Sequence, residues 1–478
     1  NLSSLTVNDA STIQNPDPVM YPTGGLSDSN TLRTGDMVEG LVGVLDYSFG
    51  LWTLQPTQAP IFVHTNPRNA SPARRTGGLR VASFNVLNYF TTLGTATECG
   101  PTGTLGCRGA NDSAEFRRQK SKIIPAILGL DADIVGLMEI ENHPTDSALR
   151  DLVKGLNDAT QAGTWKHVPT GTLGGDAIKV ALIYRSIRVE PTDSVARLTS
   201  DIDSDFVDKL NRVPLAQTFR DPCTGKRFTV VVNHLKSKGS ACSGDPDIGD
   251  GQGNCNQVRT RAAKALARWT RSRPTGTTSP HTLMLGDFNA YAKEDPITLL
   301  VDSGFVNLGA RDEGDSAYSY QFGSAFGMLD HAFATSELAD LADARHWNIN
   351  ADEPVVLGYN REFKSPTQIE SFFNADPYAS SDHDPILVDI DFSPTSPTLS
   401  TTKSPFSVSR THRELSLFSD PALAGSTYQI LSLDGKRLAM GTLHKSGRVR
   451  FQLDAQGTAY LLVGGNGNPS FARMIALP

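Results

Sequence analysis

The middle of the chain carries two kinds of apolar pattern. Short apolar runs that end in polar residues, such as Ile134–Glu139, predict buried β-strands, whereas Ser113–Leu130 and Asn256–Arg273 have apolar residues at helical spacing and predict amphipathic helices. Strands that alternate with helices are typical of a layered α/β fold. We therefore expect an α/β domain over residues 79–393.

The N-terminal part, residues 1–78, has no helical pattern. Gly35–Asp46 and Gly50–Gln55 predict short strands joined by turns, and they resemble part of an oligonucleotide/oligosaccharide-binding barrel. Asn66–Gly78 contains Pro, Ser and Gly and predicts a linker. We expect a small β-rich module that supports or positions the larger domain.

The C-terminal part is also β-rich. Residues 394–404 are dominated by Pro, Ser and Thr and predict a linker, and residues 405–478 predict strands with a hairpin around Asp434 and Gly435. This end resembles the small β-sandwich sorting domain of proteins exported by the type IX bacterial system. A simple accessory β-domain is the alternative interpretation.

Polar side chains recur where predicted strands begin or end. In chain order they are Asn85, Glu139, Asn233 with His234, Asp287 with Asn289, Asp330, and Asp382 with His383. Alternate residues of a strand point the same way, so Asp287 and Asn289 project together, and Gly286 leaves room beside them. Any one of these could be a surface turn or a cap. Together they predict one composite site with proton acceptors, metal ligands and amide donors, as phosphoryl chemistry requires.

The same segments resemble a known family. SFNVLNYF, LMEIEN, VNHLKSKG, LGDFNA, LDHAF and SDHDPI are similar to motifs of the endonuclease/exonuclease/phosphatase superfamily, also called DNase I-like. RGANDSAEFRRQKSKIIPAI, IKVALIYR, NRVPLAQTF and DGQGNCNQVRTRAAKALARW resemble the large secreted bacterial extracellular nucleases. The resemblance covers roughly residues 79–393, and it implies a two-sheet α/β sandwich with the site at one edge.

The chemistry and the resemblance together suggest catalytic roles. His383 is the candidate general base because an imidazole near neutral pKa accepts a proton from water, and the resemblance assigns Asp330 to orient it. His234 resembles the family's second histidine, which supports the scissile phosphate. Asp287 would orient the water or bind a second ion, and Asn289 would donate to a phosphate oxygen. His331 follows Asp330 on the other face of the strand and is excluded.

A divalent cation, Mg²⁺ or Mn²⁺, is the expected cofactor. Glu139 is its proposed ligand, with Asn85 and Asp382 as neighbours, because hard cations prefer carboxylate and amide oxygens. Glu141 points the same way as Glu139, and the family pattern favours Glu139. The alternating acids of residues 245–250 resemble a calcium loop without its closing Glu, so a structural Ca²⁺ stays open there.

Substrate contacts are expected from basic and aromatic residues beside these motifs. Arg212 resembles a family arginine that touches DNA phosphate. The other candidates on nearby loops are Arg108, Lys236, Lys238, Tyr318 and Tyr320. Helical Lys120, Arg259 and Lys264 are better explained as a solvated face.

Composition limits the function further. The 478 residues carry a net charge of −7, so DNA affinity has to come from a local cluster of cations. No apolar run reaches membrane-spanning length, so we expect no membrane insertion. We also expect the protein to be a monomer. The spacings predict disulfides Cys99–Cys107 and Cys242–Cys255, with Cys223 left over, as in an oxidising compartment. Asn1 at the start fits a removed secretion signal, although a trimmed chain would look the same.

These observations predict a secreted, metal-dependent nuclease that hydrolyses DNA, with RNA left open. Another phosphodiesterase or phosphatase of the superfamily is the first alternative, and a non-catalytic surface-binding protein is the second. A sphingomyelinase would present exposed apolar loops to a membrane, and no such loop is evident in the sequence. A binding protein would have lost Glu139, Asp287, Asn289 or His383, and all four are present.

Overall fold

The chain folds into two compact units, residues 1–391 and residues 392–478. The computed structural model describes residues 5–9, 11, 13–48, 50–72, 78–323, 325–392, 406–411, 414–419, 426–432, 437–443, 448–452, 457–465 and 468–477.

Helices are confined to the first unit within the described residues. They are α1 Ser113–Gly129, α2 Ser147–Ala159, α3 Asn256–Arg271, α4 Asp295–Asp302, α5 Leu308–Glu313, α6 Ser336–Ala339 and α7 Pro366–Ser371, with 3₁₀ turns at Gly314–Ser316 and Val355–Leu357. The predicted helices over 113–130 and 256–273 are confirmed to within two residues. In the described ranges, no helix is long and apolar enough to cross a membrane.

The strands of the first unit are β1 Thr6–Val7, β2 Met37–Glu39, β3 Gly43–Ser48, β4 Leu51–Pro56, β5 Ile61–Val63, β6 Leu79–Tyr89, β7 Ile134–Glu141, β8 Trp165–His167, β9 Ile178–Arg185, β10 Glu190–Arg197, β11 Arg212–Arg220, β12 Arg227–His234, β13 Thr282–Asp287, β14 Val306–Asn307, β15 Tyr320–Phe322, β16 Ala325–Gly327, β17 Asp330–Ala334, β18 Ala342–His346 and β19 Ile386–Ile390.

Two six-stranded sheets form the centre of this unit. Their strand orders are β10-β11-β12-β13-β17-β14 and β18-β19-β6-β7-β9-β8. The pairs β6–β7 and β12–β13 are parallel, and the other neighbours within these sheets are antiparallel. The sheets approach closely at Gly136, where an added Cβ would lie within 3 Å of Leu285 and Val232.

Helices cover the outer faces of both sheets. Apolar residues of α1 and α2, such as Ile123 and Leu152, share a core with Phe84 of β6. Leu266 of α3 and Ile297 of α4 pack in a second core against the other sheet. The layers are therefore helix, sheet, sheet and helix, which confirms the predicted two-sheet α/β sandwich.

The N-terminal strands build a three-stranded sheet, β1-β4-β3, and a two-stranded sheet, β2-β5. Arg68, inside the predicted linker, forms an ion pair with buried Glu353 at 2.6 Å. The start of that segment is thus tied to the larger domain. The resemblance to a complete nucleic-acid-binding barrel stays a prediction.

The second unit contains β20 Phe406–Thr411, β21 Glu414–Ser419, β22 Thr427–Ser432, β23 Arg437–Thr442, β24 Arg448–Gln452, β25 Gly457–Gly465 and β26 Asn468–Leu477. They form sheets β20-β21-β24 and β23-β22-β25-β26. β22 and β23 pair antiparallel, as the predicted hairpin requires, while its turn at Asp434 and Gly435 and the linker 394–404 lie outside the described residues. The sorting role stays a prediction.

Both predicted disulfides have bonding distances. The Sγ atoms are 2.01 Å apart in Cys99–Cys107 and 2.11 Å apart in Cys242–Cys255, and Cys223 is free and exposed. Arg108 directly follows Cys107 of the first bridge, and Lys236 lies six residues before Cys242 of the second. The bridges therefore constrain the chain beside these two candidate contact residues.

Candidate active site

One edge of the first central sheet lines up four of the predicted residues. Arg212, His234, Asp287 and Asp330 are successive register partners across β11, β12, β13 and β17. Strand pairing alone therefore places a guanidinium, an imidazole and two carboxylates in a row. The predicted convergence of strand ends is confirmed for this group.

His383 reaches this row from the loop before β19. Its Nδ1 lies 2.7 Å from Asp330 Oδ2, and its Nε2 lies 3.8 Å from Asp287 Oδ2. The Ser319 hydroxyl donates to Asp330 Oδ2 at 2.8 Å and accepts from the amides of Leu329 and Asp330. The Asp330 carboxylate thus has a fixed orientation, and it holds the imidazole so that Nε2 faces Asp287.

Asp287 and Asn289 form a compact unit at the end of β13. The Asn289 amide N–H donates to Asp287 Oδ1 at 2.8 Å, and its side-chain nitrogen lies 3.2 Å from Oδ2. His234 Nε2 lies 3.4 Å from the same Oδ2. Gly286 is required here, because a Cβ would fall 2.0 Å from the carbonyl oxygen of Asn233.

Burial separates the proton affinities of these groups. Burial, aided by the charge of Arg212, lowers the pKa of His234 well below its ordinary value, so its contact with Asp287 is made by a neutral imidazole. Burial raises the pKa of Asp287 to about 7, against the lowering effect of His383. Burial would lower the pKa of His383, but Asp330 and Asp287 outweigh it and raise that pKa well above its ordinary value. His383 and Asp287 therefore compete for one proton.

Glu139, Asn85 and Asp382 lie on the facing sheet and its loops. The Asn85 side-chain nitrogen is 3.3 Å from Glu139 Oε1, and the Asn88 amide donates to Oε2 at 3.1 Å. Ser381 Oγ lies 2.7 Å from the Asn85 carbonyl oxygen and 3.4 Å from Asp382 Oδ1. Burial and then the charge of Asp382 raise the pKa of Glu139.

The backbone is strained on this side of the site. Leu87, Asn88 and Glu139 have φ values of 50°, 54° and 61°, where residues with a Cβ are disfavoured. The register of β6 shifts between Asn85 and Tyr89, and that of β7 shifts across Glu139. Such bulges redirect side chains, and strain of this kind concentrates at functional sites.

The donor set fits a divalent cation. Within the described part of the chain, neither Glu139 nor Asp382 forms an ion pair with Lys or Arg, and no group of three His, Cys, Asp or Glu side chains could hold a metal ion. The protein would therefore supply only the two carboxylates of Glu139 and Asp382 and the amide oxygen of Asn85. Water and substrate phosphate would complete the coordination shell. This arrangement is usual for Mg²⁺.

Glu141 has a different role. It is 1% exposed and accepts from the amides of Thr91 and Thr92 and from the Thr91 hydroxyl. All three bonds reach Oε2, and they tie Glu141 to the Thr91–Thr92 segment. The choice of Glu139 as the cation ligand stays a prediction.

Arg212 and Arg108 are joined by an acid that the sequence reasoning missed. Asp176 accepts from Arg212 Nε at 3.0 Å and from Arg108 Nη2 at 2.8 Å. Arg212 Nη1 also lies 3.5 Å from His234 Nε2, which places this guanidinium beside the row. Two arginines that share one carboxylate present a net single positive charge.

The two loop lysines are occupied by other partners. Lys236 is 8% exposed, and its ammonium is bound by Ser237 and Ser240. Lys238 pairs with Glu294 and lies 4.7 Å above the Tyr291 ring. No contact of either lysine with the catalytic row occurs among the described residues, so their substrate role stays a prediction.

The remaining candidates differ in whether they contact the catalytic row. The Tyr320 ring packs on His383 with centroids 4.6 Å apart, whereas the Tyr318 hydroxyl donates to Asp352 at 2.9 Å, away from the row. Helical Lys120 pairs with Asp151, and Arg259 is fully buried and binds carbonyl oxygens of the 236–254 loop. Lys264 is exposed on α3. His331, which was excluded, donates to the Ala290 carbonyl from Nε2.

The possible calcium loop is satisfied by its own chain. Asp245 accepts from the amides of Gln257 and Val258 at the start of α3, and Asp247 and Asp250 accept from the amides two residues onward. These bonds account for the alternating acids without an ion.

Some residues that shape the site carry weak sequence signals. Ser319 lies between two tyrosines of the YSYQF run, and alternation puts it on the opposite side from them. Asp384 belongs to SDHDPI, yet it accepts from the amides of Ile349, Asn350 and Ala351. Asn350 in turn donates to the His383 carbonyl at 2.6 Å. These residues fix the loop that carries the imidazole.

Several solved structures are similar to this chain. Similar solved structures include a mannosyl-6-phosphatase from Bacteroides thetaiotaomicron (17% identity over 66% of this chain and all of that chain, TM-score 0.43). Another is the human Nocturnin catalytic domain with bound sulfate (18% identity over 66% of this chain and 95% of that chain, TM-score 0.41). A third is TDP2 from D. rerio with single-strand DNA product (13% identity over 66% of this chain and all of that chain, TM-score 0.39). A search of curated protein sequences gave no match. Residues 82–383 match the Endonuclease/Exonuclease/phosphatase family, so the chain belongs to this family of hydrolytic phosphoesterases.

Proposed function

We propose that the protein is a secreted nuclease that hydrolyses phosphodiester bonds of DNA and uses Mg²⁺ or Mn²⁺. The observation that carries this proposal is the placement of His383 between two carboxylates, at the end of a row that includes His234 and Arg212. The two disulfides favour an oxidising, extracellular location.

The site's charge favours a diester over a monoester. A phosphodiester carries one negative charge, whereas a phosphomonoester carries between one and two at neutral pH. Arg108 and Arg212 share Asp176, and Lys236 and Lys238 are bound elsewhere. The cluster of Arg108, Arg212 and Asp176 therefore carries one net positive charge, which matches the charge of a single diester phosphate.

The residues suggest how water is activated. The 3.8 Å gap between His383 Nε2 and Asp287 Oδ2 is too long for a direct hydrogen bond and suits a bridging water. When the proton that His383 and Asp287 share lies on Asp287, Nε2 is free to accept the proton of the water, and Asp330 would stabilise the resulting imidazolium. Neutral His234 would donate to a phosphate oxygen. The side-chain nitrogen of Asn289 is bonded to Asp287 and to the Leu235 carbonyl, so Asn289 would hold Asp287 in place. A cation held by Glu139, Asp382 and Asn85 would offset the phosphate's charge when bound.

A lipid phosphodiester is the second candidate. It is favoured by exposed apolar side chains near the site, namely Phe322, Val355 and Phe363, which are 73%, 79% and 81% exposed. The sequence did not reveal such a loop, because the three residues come from two separate segments.

A plasmid-nicking assay tests the nuclease proposal directly. Supercoiled DNA should be nicked in the presence of Mg²⁺ or Mn²⁺ and left intact with excess chelator. Sphingomyelin vesicles and 4-nitrophenyl phosphate are the comparison substrates. Faster hydrolysis of either than of DNA would overturn the proposal, and so would nicking that persists in chelator.

A further inference from the structure

We infer that the site acts on unpaired nucleotides, whose bases stack on an apolar rim formed by Phe322, Val355 and Phe363. This inference rests on the proposed nuclease function and specifies the substrate further. It comes from the cavities beside the catalytic row and from the residues that border them.

A groove leads away from the catalytic residues. A cavity of about 390 Å³ is lined by Asp382 and Tyr320 at its inner end and by Val355 farther out. A second cavity of about 410 Å³ shares Val355 and Asn360 with the first and reaches Phe363. The groove is therefore continuous with the candidate active site.

Large apolar side chains are exposed at this groove: Val355 and Phe363 line it, and Phe322 is the neighbour of the lining residue Gln321. Phe322 follows Tyr320 by two residues in β15, so both project from the same face of the hairpin, and Tyr320 packs on His383. Phe363 has a φ of 59°, a strained conformation for a bulky residue. A strained backbone that presents an aromatic ring to solvent beside a groove indicates a contact surface.

The groove offers few free cations. Arg108, in the first cavity, is paired with Asp176. Lys364, in the second, donates its ammonium to the carbonyls of Gly358 and Asn360, and burial lowers its pKa to about 8. A DNA duplex presents phosphates and buries its bases, so it would gain little here. Unpaired bases expose the faces that stack on aromatic rings.

The polar part of the lining also suits bases. The amides of Gln321 and Asn360 can both donate and accept, as base edges require. Single-stranded nucleic acid would therefore use both the apolar rim and these amides, whereas lipid acyl chains would use the apolar rim alone.

Steady-state kinetics of the full chain test this inference. The substrates are a single-stranded DNA oligonucleotide, the same sequence as a duplex, and bis(4-nitrophenyl) phosphate, which has no bases. The variants are Phe322→Ala, Phe363→Ala and the conservative Phe363→Trp. Ile187→Ala is the matched control, since Ile187 is 78% exposed and is neither a lining residue of these cavities nor a neighbour of one.

The wild type should cleave the single strand with a kcat/KM about tenfold above that for the duplex. Each Phe→Ala change should raise the KM for the single strand about 5- to 20-fold, by loss of one stacked base. Phe363→Trp should have a KM for the single strand close to that of the wild type. The alanine variants should hydrolyse bis(4-nitrophenyl) phosphate at the wild-type rate, and Ile187→Ala should match the wild type on all three substrates.

Two results would overturn the inference while DNA cleavage persists. One is equal efficiency on both DNA forms, and the other is an unchanged KM in both alanine variants. Loss of vesicle binding in those variants with unchanged DNA kinetics would identify the rim as a membrane surface instead. Failure to cleave either DNA form, with the bis-ester still hydrolysed, would instead reject the nuclease proposal itself.

Discussion

Asp330 lies directly opposite Asp287 on the antiparallel β13–β17 ladder, and the His383 imidazole lies between their carboxylates. Each ring nitrogen therefore faces a different acid. Asp330, the nearer acid, is held by the Ser319 hydroxyl and by its short contact with Nδ1. Asp287, the farther acid, leaves room for a water. This asymmetry separates the orientation of the base from the activation of the nucleophile.

The His383–Asp330 pair should behave as one unit. His383→Ala and Asp330→Asn should each lower kcat by about 10²- to 10⁴-fold without unfolding the protein. Because the acid acts through the imidazole, the double variant should be little slower than the slower single one. Initial rates on plasmid DNA, with circular dichroism as the folding control, measure this. Defects that multiply in the double variant would show that the two residues act independently.

Glu139 and Glu141 offer a matched pair for the metal assignment. Glu139→Gln should abolish most turnover and leave thermal stability nearly unchanged, because Glu139 is a proposed cation ligand. Glu141→Gln should lower the melting temperature with a smaller effect on turnover, because Glu141 holds Thr91 and Thr92. Rates across a Mg²⁺ titration and melting curves separate the two effects. The reverse pattern would move the ligand role to Glu141.

Arg212 should supply affinity for phosphate. Arg212→Ala should raise the KM for DNA more than it lowers kcat, and it should flatten the log–log dependence of affinity on salt by about one unit. Arg185→Ala removes the same charge at a site paired with Asp131 on the other sheet and serves as the control. Identical salt slopes for wild type and Arg212→Ala would remove Arg212 from the contact surface.

Strand-end motifs, together with the family resemblance that they carry, were sufficient to predict the fold and the residues of the catalytic row. Asp287, Asp330 and His234 each follow or begin an apolar run, but the pairing of the strands was not predicted. Local sequence also predicted α1 and α3, whose apolar spacing is regular. These features depend on short-range patterns, which a single sequence displays.

Contacts between distant segments could not be read in this way. Asp176 joins Arg108 to Arg212 because two loops meet the start of β11, and Lys238 pairs with Glu294, which is 56 residues away. The exposure of Phe322 and Phe363 likewise depends on how two segments border one groove. Such properties arise from packing, not from the pattern around each residue.

His331 should couple stability to pH. Burial lowers the pKa of His331 from 6.5 to about 4, so the folded state resists its protonation while the unfolded state does not. The resulting stability is fully present above pH 6.5 and is lost as the pH falls toward 4, by up to about 3 kcal/mol.

Urea unfolding across that pH range tests the coupling. His331→Gln should be less stable at neutral pH, since Asn307 and Ala290 lose a ring partner, but its unfolding free energy should fall less steeply with acid. A parallel slope in the His331 variant would contradict the assignment.

Arg33 should link the N-terminal segment to catalysis. Its buried guanidinium donates to Asp352 Oδ2 at 3.1 Å and to the Asn348 carbonyl at 2.9 Å. Asp352 belongs to the segment in which Asn350 holds the His383 carbonyl. Removal of Arg33 would leave Asp352 buried and without this cationic partner, which typically costs about 3–5 kcal/mol.

Arg33→Met should therefore lower the unfolding free energy by roughly that amount, and it should reduce kcat more than it raises KM, because the loop that carries His383 loses support. Arg33→Lys should recover part of both properties. Arg117→Met makes the same charge change at an exposed position of α1 and should leave both unchanged. Denaturant melts and steady-state rates on bis(4-nitrophenyl) phosphate measure the two properties on the same samples. A destabilised Arg33→Met enzyme with wild-type kcat would show that the N-terminal segment supports the fold but does not position the catalytic loop.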